Sequence, residues 1–268
     1  MSDDKQLAIL QVNPYAIAYM DTPTDEMKMT ALRKNGLVIQ HIKEPTEEMM
    51  KAAVDSMPRA LQYIAHPSKE LLRYVVDRGW NNLSLIDNPD DELIHAALAQ
   101  SGWAIQYIPE PSEELQLLAV THNYDAIKFL DHPSEAVQMA AVKENYQALR
   151  YIQHPALSAI LEAVRQDARA ARLVTDLDED TALAMLTVNC LVGKYLPPSL
   201  VIDVGRLTKA LQDVVADPDV DESYIRHLVS SRIFDIHAVS FPVNPLLIID
   251  THGSAKARRV AMDEKLKF

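Results

Sequence analysis

Residues 139–159, MAAVKENYQALRYIQHPALSA, decide the fold. An apolar run at helical spacing ends at Asn145, a second group Ala148-Leu149-x-Tyr151-Ile152 follows, and Pro155 closes the unit. The same pattern reads LLAVTHNYDAIKFLDHPSEAV at 117–137, HAALAQSGWAIQYIPEPSEEL at 95–115 and KAAVDSMPRALQYIAHPSKEL at 51–71. An earlier copy is AILQVNPYAIAYMDTPTDEM at 8–27, and a worn one follows Ile160. Pro23, Pro45, Pro67, Pro89, Pro111, Pro133 and Pro155 keep the register, each 22 residues after the last. A fixed period of this length marks a repeat architecture.

Each slot has a physical cause. Proline cannot continue a helix but suits a helix start. Thr24, Thr46, Ser68, Asp90, Ser112 and Ser134 follow it as caps. Acids then fill the first turn, as in Asp25-Glu26 and Glu113-Glu114, where the helix dipole favours them. The first helix is expected to bury Leu71, Val75 and Val76, or Leu115, Ala119 and Val120. Asn35, Gly79, Asn123 and Asn145 fall where it should stop, as residues that tolerate a left-handed end. A small residue recurs at Ala31, Ala53, Val75, Ala97, Ala119, Ala141 and Ala163, allowing close helix approach. One hairpin cannot bury its own apolar face, whereas a stack can. The pattern predicts an all-α fold, a right-handed α-solenoid of short helical hairpins over residues 1–181.

Beyond Thr181 the register decays: Leu177 takes the slot of the next proline, and Pro197-Pro198 arrive early. Helical patterns persist at roughly 182–195, 200–216 and 221–234, and Val243-Asn244-Pro245 echoes Val12-Asn13-Pro14. Ser254, Ala261 and Met262 fit the cap and core slots of a last helix. Residues 182–268 are therefore expected to be an irregular helical region continuing or capping the stack, with LLIID at 246–250 as an alternative short strand.

Composition narrows the function. Of 268 residues 48% are apolar and 24% charged, which fits a globular chain with a sizeable core. No apolar run nears the ~18 residues of a membrane span, and the acidic start MSDDKQLAIL is wrong for a secretory signal. The single cysteine, Cys190, excludes an internal disulfide framework and a cysteine zinc site, and predicts a reducing, cytoplasmic setting. Six scattered glycines leave no phosphate-cradling loop. A net charge of -12 opposes bulk attraction to nucleic acid or anionic lipid.

The motif A-V-x-x-N-x-x-A-L-x-Y-I, Ala141 to Ile152, resembles the short bihelical repeats of a family of unknown function from bacteria and bacteriophages. The P-S-E-E-L half is also similar to HEAT repeats, whose units are about twice as long, and to the leucine-rich variant repeat. The resemblance spans residues 6–181. It implies a binding scaffold, in one form a phage-encoded interaction or host-inhibitor protein, and offers no catalytic residue.

Chemistry-bearing residues are sparse. His66, His132 and His154 share the slot before the proline. A stack would space them by about 10 Å, the width of a helix, while zinc ligands sit about 2.0–2.1 Å from one ion. No metal and no cofactor are expected. Cys190, in LTVNCLVG, reads as a buried small residue. Paired carboxylates sit in first turns, where capping explains them, and no serine–histidine arrangement is visible, so an enzyme is not expected.

Charge is more informative. Residues 79–127 hold no lysine or arginine but carry Asp87, Asp90, Asp91, Glu92, Glu110, Glu113, Glu114 and Asp125. Trp80 and Trp103 fall in the same stretch, at the turn between the two helices, and Tyr15, Tyr124 and Tyr146 take the matching turn elsewhere. An edge of Trp80, Trp103, Tyr124 and Tyr146, with Asp87 and Glu110, is the expected surface for a protein partner. The alternative is that the rings pack on neighbouring turns and the acids are solvated. A second row, Lys128, Arg150 and Arg172, holds one slot of the second helix, with Lys143, Arg165 and Arg169 near in sequence. It could track phosphates and bind nucleic acid, although Glu144, Glu162 and Asp167 dilute it and Gln40, Gln62, Ser84 and Gln106 fill the slot upstream. The tail carries Lys256, Arg258, Arg259, Lys265 and Lys267, as a basic helix face or a frayed end.

Overall fold

Thr24, Thr46, Ser68, Asp90, Ser112 and Ser134 each start an α-helix, their side-chain oxygens accepting the N–H three residues on at 3.0–3.4 Å. The computed structural model describes residues 2–238 and 241–266. The proline lies one residue before each cap, outside the helix, and its neighbour Glu44, Asn88, Glu110 or His132 takes a left-handed φ of 48–53°. A residue before proline is disfavoured in the right-handed α region. The expected left-handed ends at Asn35, Asn123 and Asn145 are instead extended, with φ of -153°, -142° and -161°, and Gly79 is extended too at 172°. Asn35 and Asn145 serve the following element instead. Their Oδ1 atoms accept the N–H groups of Leu37 and Gln147 and cap the next helix.

That next helix is a 3-10 helix. Six residues at about 2.0 Å rise reach ~12 Å, nearly matching the ~15 Å of a ten-residue α-helix. The tighter winding lets a short segment return along almost the whole first helix.

The chain divides into two compact units, Met1–Pro111 and Ser112–Phe268. The first holds α1 (Asp3–Val12), η1 (Pro14–Tyr19), α2 (Asp25–Lys34), η2 (Gly36–His41), α3 (Glu47–Ser56), η3 (Pro58–Tyr63), α4 (Lys69–Asp77), η4 (Trp80–Leu85), α5 (Asp91–Gln100) and η5 (Gly102–Tyr107). In the second, α6 (Glu113–His122), η6 (Tyr124–Phe129), α7 (Glu135–Glu144), η7 (Tyr146–Tyr151), α8 (Leu157–Gln166), η8 (Ala168–Leu173), α9 (Glu179–Val188) and η9 (Cys190–Lys194) continue the alternation. Among the described residues four α-helices follow: α10 (Val204–Ala216), α11 (Glu222–Ser230), α12 (Pro245–His252) and α13 (Ala255–Lys265).

Within each unit, α-helix packs on the next α-helix and 3-10 helix on the next 3-10 helix. The recurrent small residues Ala31, Ala53, Val75, Ala97, Ala119, Ala141 and Ala163 are all 0–1% exposed at these contacts. Leu71, Val75 and Val76 are buried, as are Ala119 and Val120, while Leu115 is half-buried. Polar links between neighbouring pairs also recur. Ser68 Oγ donates to Glu47 at 2.8 Å and Ser134 Oγ to Glu113, tying a cap to the first turn of the preceding helix. Gln100, Gln166 and Asn189 side chains each donate at 2.8 Å to the late carbonyls of Val76, Val142 and Val164. Such late carbonyls lie where the helix runs out of N–H donors, although the Val76 carbonyl also accepts the Gly79 N–H at 3.0 Å.

The 22-residue spacing runs past 181, because Asp178 caps α9 by accepting the Thr181 N–H at 2.8 Å. The predicted helix over 182–195 is split at Asn189, which caps η9. After that, α10 packs on α9 and α12, and α11 on η9 and α13. Tyr224 of α11 buries its hydroxyl and donates it to the Leu186 carbonyl at 2.8 Å. LLIID is helical, not a strand, since Pro245 occupies the first turn of α12 and Asn244 caps the Leu247 N–H. Ser254 caps α13 and Ala261 is buried, but Met262 is 62% exposed and belongs to the outer face. Two ion pairs tie the tail to α11: Arg259 pairs with Glu222 at 2.7 Å, and Glu264 of α13 with Arg226 at 3.0 Å. Lys267 lies outside the described residues. No helix of the described residues is long and apolar enough to cross a membrane.

Candidate functional site

In the first unit Trp80 opens η4 and Trp103 is the second residue of η5. These elements pack together, and the indoles meet edge-on with centroids 6.3 Å apart. Trp80 also stacks on Tyr107 at 6.1 Å and 29°. Trp80 is half-buried and thereby fixed; Trp103 stays 37% exposed. The nearest cation in sequence, Arg78, is held by Asp55 at 3.1 Å and lies over the Tyr74 ring. Asp87 and Glu110 are exposed, but they sit in the loops that follow η4 and η5. A six-residue 3-10 helix, about 12 Å long, therefore separates each from the turn that carries the tryptophan.

Tyr124 and Tyr146 open η6 and η7 in the second unit, in the slot of Trp80, while Tyr15 matches Trp103 one residue later. Both tyrosines are half-buried, and the backbone N–H of Tyr146 is taken by Gln166 Oε1 at 3.1 Å. Their rings are thus half covered rather than freely displayed.

Lys128, Arg150 and Arg172 are the fifth residues of η6, η7 and η8, which pack in succession, and all three are exposed. The structure adds a residue that sequence reasoning missed: Lys194, fifth in η9, is exposed in the same slot. Its signal was its position, 22 residues after Arg172, obscured because the prolines lose register there. Next to this row the sixth position holds Phe129 and Tyr151, both 37% exposed, and Tyr195 follows η9. Lys128 Nζ lies 4.8 Å from the Phe129 ring centre, and the Arg172 guanidinium 4.9 Å from that of Tyr195.

The other basic residues stand apart from the row. Lys143 and Arg165 are in the last turns of α7 and α8, and Arg165 bonds Glu162 at 2.5 Å. Arg169 grips Asp167 at 2.6 Å, holding that carboxyl below the usual aspartate range and raising its own value. Lys128 itself reaches Asp125 at 3.3 Å.

A cleft of about 380 Å³ lies beside Lys128, lined by Asp131, His132, Tyr151, Gln153 and His154. Buried Gln138 fixes two of its loops, donating to the Pro133 carbonyl at 3.0 Å and accepting the Ala156 N–H at 2.8 Å. Among the described residues no three His, Cys, Asp or Glu side chains converge as a metal site. Burial pushes the Cys190 thiol up to about 12, so it stays protonated and is no nucleophile at neutral pH. No protein-family model, curated protein or solved structure matches this chain.

Proposed function

We propose that the chain is a non-enzymatic, HEAT-like α-solenoid scaffold, right-handed in its stacking, that captures a protein partner. The observation that carries this reading is the aromatic cluster of the first unit. Trp80 contacts both Trp103 and Tyr107, and Trp103 is left partly open to solvent. An aromatic side chain held rigid and half-exposed can bury apolar area on binding at little entropic cost, and tryptophan is favoured at such anchors. Acids at Asp87 and Glu110, with no lysine or arginine from 79 to 127, would draw a basic partner towards the same unit. Capture by a repeat surface also fits a host-inhibitor role in a phage setting.

The test compares the parent with Trp103→Ala, which removes the exposed ring and leaves the Trp80–Tyr107 stack in place. A partner retained by immobilised parent should bind the variant weaker by about 2 kcal/mol or more, with the far-UV circular dichroism unchanged. Equal affinity for both proteins would remove this surface from the reading.

A further inference from the structure

We infer that the 3-10 helices of the second unit form a binding surface for single-stranded nucleic acid, with Lys128, Arg150, Arg172 and Lys194 on its phosphates and Phe129, Tyr151 and Tyr195 under its bases. The helices η6 to η9 carry Lys128, Arg150, Arg172 and Lys194 in one slot against one acid, Asp125, while Arg169 of η8 is held by Asp167 just before that helix. Acids of the same unit gather instead on α-helix first turns, such as Glu113, Glu114, Glu179 and Asp180. The net charge of -12 therefore hides a local reversal of sign.

The row is ordered. Four cations occupy one slot of four successive, mutually packed helices, and Arg150, Arg172 and Lys194 make no ion pair with a described residue. In the first unit the same slot holds Ala18, Gln40, Gln62, Ser84 and Gln106, so helix formation does not require a cation there. Rings beside the cations select among anions. Aromatic faces stack on bases, which an acidic peptide lacks.

The rings favour a single strand over a duplex. Neighbouring packed helices lie about 8–10 Å apart, so successive cations meet about every second or third phosphate of a strand that rises ~3.4 Å per nucleotide. Duplex bases are paired and stacked on one another, whereas unpaired bases can lie on Phe129, Tyr151 and Tyr195, which directly follow three of the four cations.

The test uses the full chain and a fluorescein-labelled oligothymidylate or oligouridylate of about 20 nucleotides, followed by fluorescence anisotropy. Four phosphate contacts predict a slope of log affinity against log salt of about -3. The variant carrying Lys128→Gln, Arg150→Gln, Arg172→Gln and Lys194→Gln should lose that slope, its fold verified by circular dichroism. Tyr151→Ala should weaken binding about fivefold or more while keeping the slope. Trp103→Ala should leave binding unchanged, which separates this surface from the protein-capture site. No anisotropy change at low salt, equal affinity for duplex DNA, or equal competition by polyglutamate would each overturn the inference.

Discussion

Gly36→Ala tests the packing of 3-10 helix on α-helix most sharply. A Cβ built at Gly36 would lie 2.0 Å from the Ala53 carbonyl oxygen and 2.8 Å from its carbon, both backbone atoms that cannot swing aside. η2 must therefore retreat from α3 by about 1 Å before tolerable contact is restored. Retreat loosens Val38 and Ile39, now 0% and 2% exposed, and stretches the 3.2 Å hydrogen bond from the Gly36 N–H to Ser56 Oγ. Overpacking of this kind costs about 1–3 kcal/mol and the lost hydrogen bond ~1 more, together about 2–4 kcal/mol. Both tryptophans belong to the first unit, so tryptophan fluorescence in a urea titration reports on that unit directly. With a slope of about 2 kcal/mol per molar urea, the midpoint should fall by ~1–2 M. Gly205→Ala, exposed in the first turn of α10, meets only the Asp203 Oδ1 cap at 3.1 Å, the end of a side chain that can give by a few tenths of an ångström, and should instead stabilise by up to about 1 kcal/mol, read by circular dichroism. A Gly36→Ala protein as stable as the parent would refute the close approach.

Three further outcomes follow from the second unit. Ala156 is the one start among α2 to α9 without a side-chain cap, so Ala156→Ser should stabilise by about 0.5–2 kcal/mol in chemical denaturation; a neutral or harmful effect would contradict the capping account. Cys190 should resist a thiol-specific disulfide reagent at pH 8 until denaturant is added, and prompt native-state reaction would show that it is not buried. Hydrogen bonds from Thr181 depress the Asp178 carboxyl, bonds from Ser223 depress Asp221, and Arg259 with Arg226 depresses Glu222. Their folded values lie below the unfolded ones, so their stabilisation is complete above about pH 5 and is lost as pH falls through the folded values. Denaturation midpoints of the second unit should be flat at pH 5–8 and drop below ~4; a rise on acidification would reverse the sign of this argument.

Much of the fold was legible because its signals are local. A hydroxyl or carboxylate three residues before an apolar position must cap, and an alanine every 22 residues must sit where helices touch. Less visible was the winding of the second helix. Pairs such as Ala148 and Leu149 bury equally well from six residues of α or 3-10 helix, and the choice depends on the distance to be spanned. Left-handed residues were equally hidden: Glu44, Asn88, Glu110 and His132 precede prolines, but Thr22, His66 and His154 do too without taking that conformation, so the proline alone does not mark it. At the candidate site the sequence located each row but not its pairings. The Trp80–Tyr107 stack joins the first residue of one 3-10 helix to the last of the next, a contact set by side-chain rotamers. Asp87 and Glu110 looked close to the tryptophans in sequence, yet an entire helix intervenes.

The claim beneath all of this is that 22 residues, one α-helix and one 3-10 helix, form an interchangeable packing module. Excising residues 135–156 would join the Ser134 cap to Leu157 and bring Ala163 to the slot of Ala141. Thermal unfolding followed by circular dichroism should then show a cooperative transition and an undiminished helical signal per residue. Excising only 135–145 removes α7 but leaves η7 without its partner, and should abolish the cooperative transition of that unit. Loss of folding after the 22-residue excision, or equal tolerance of both, would contradict the modular account.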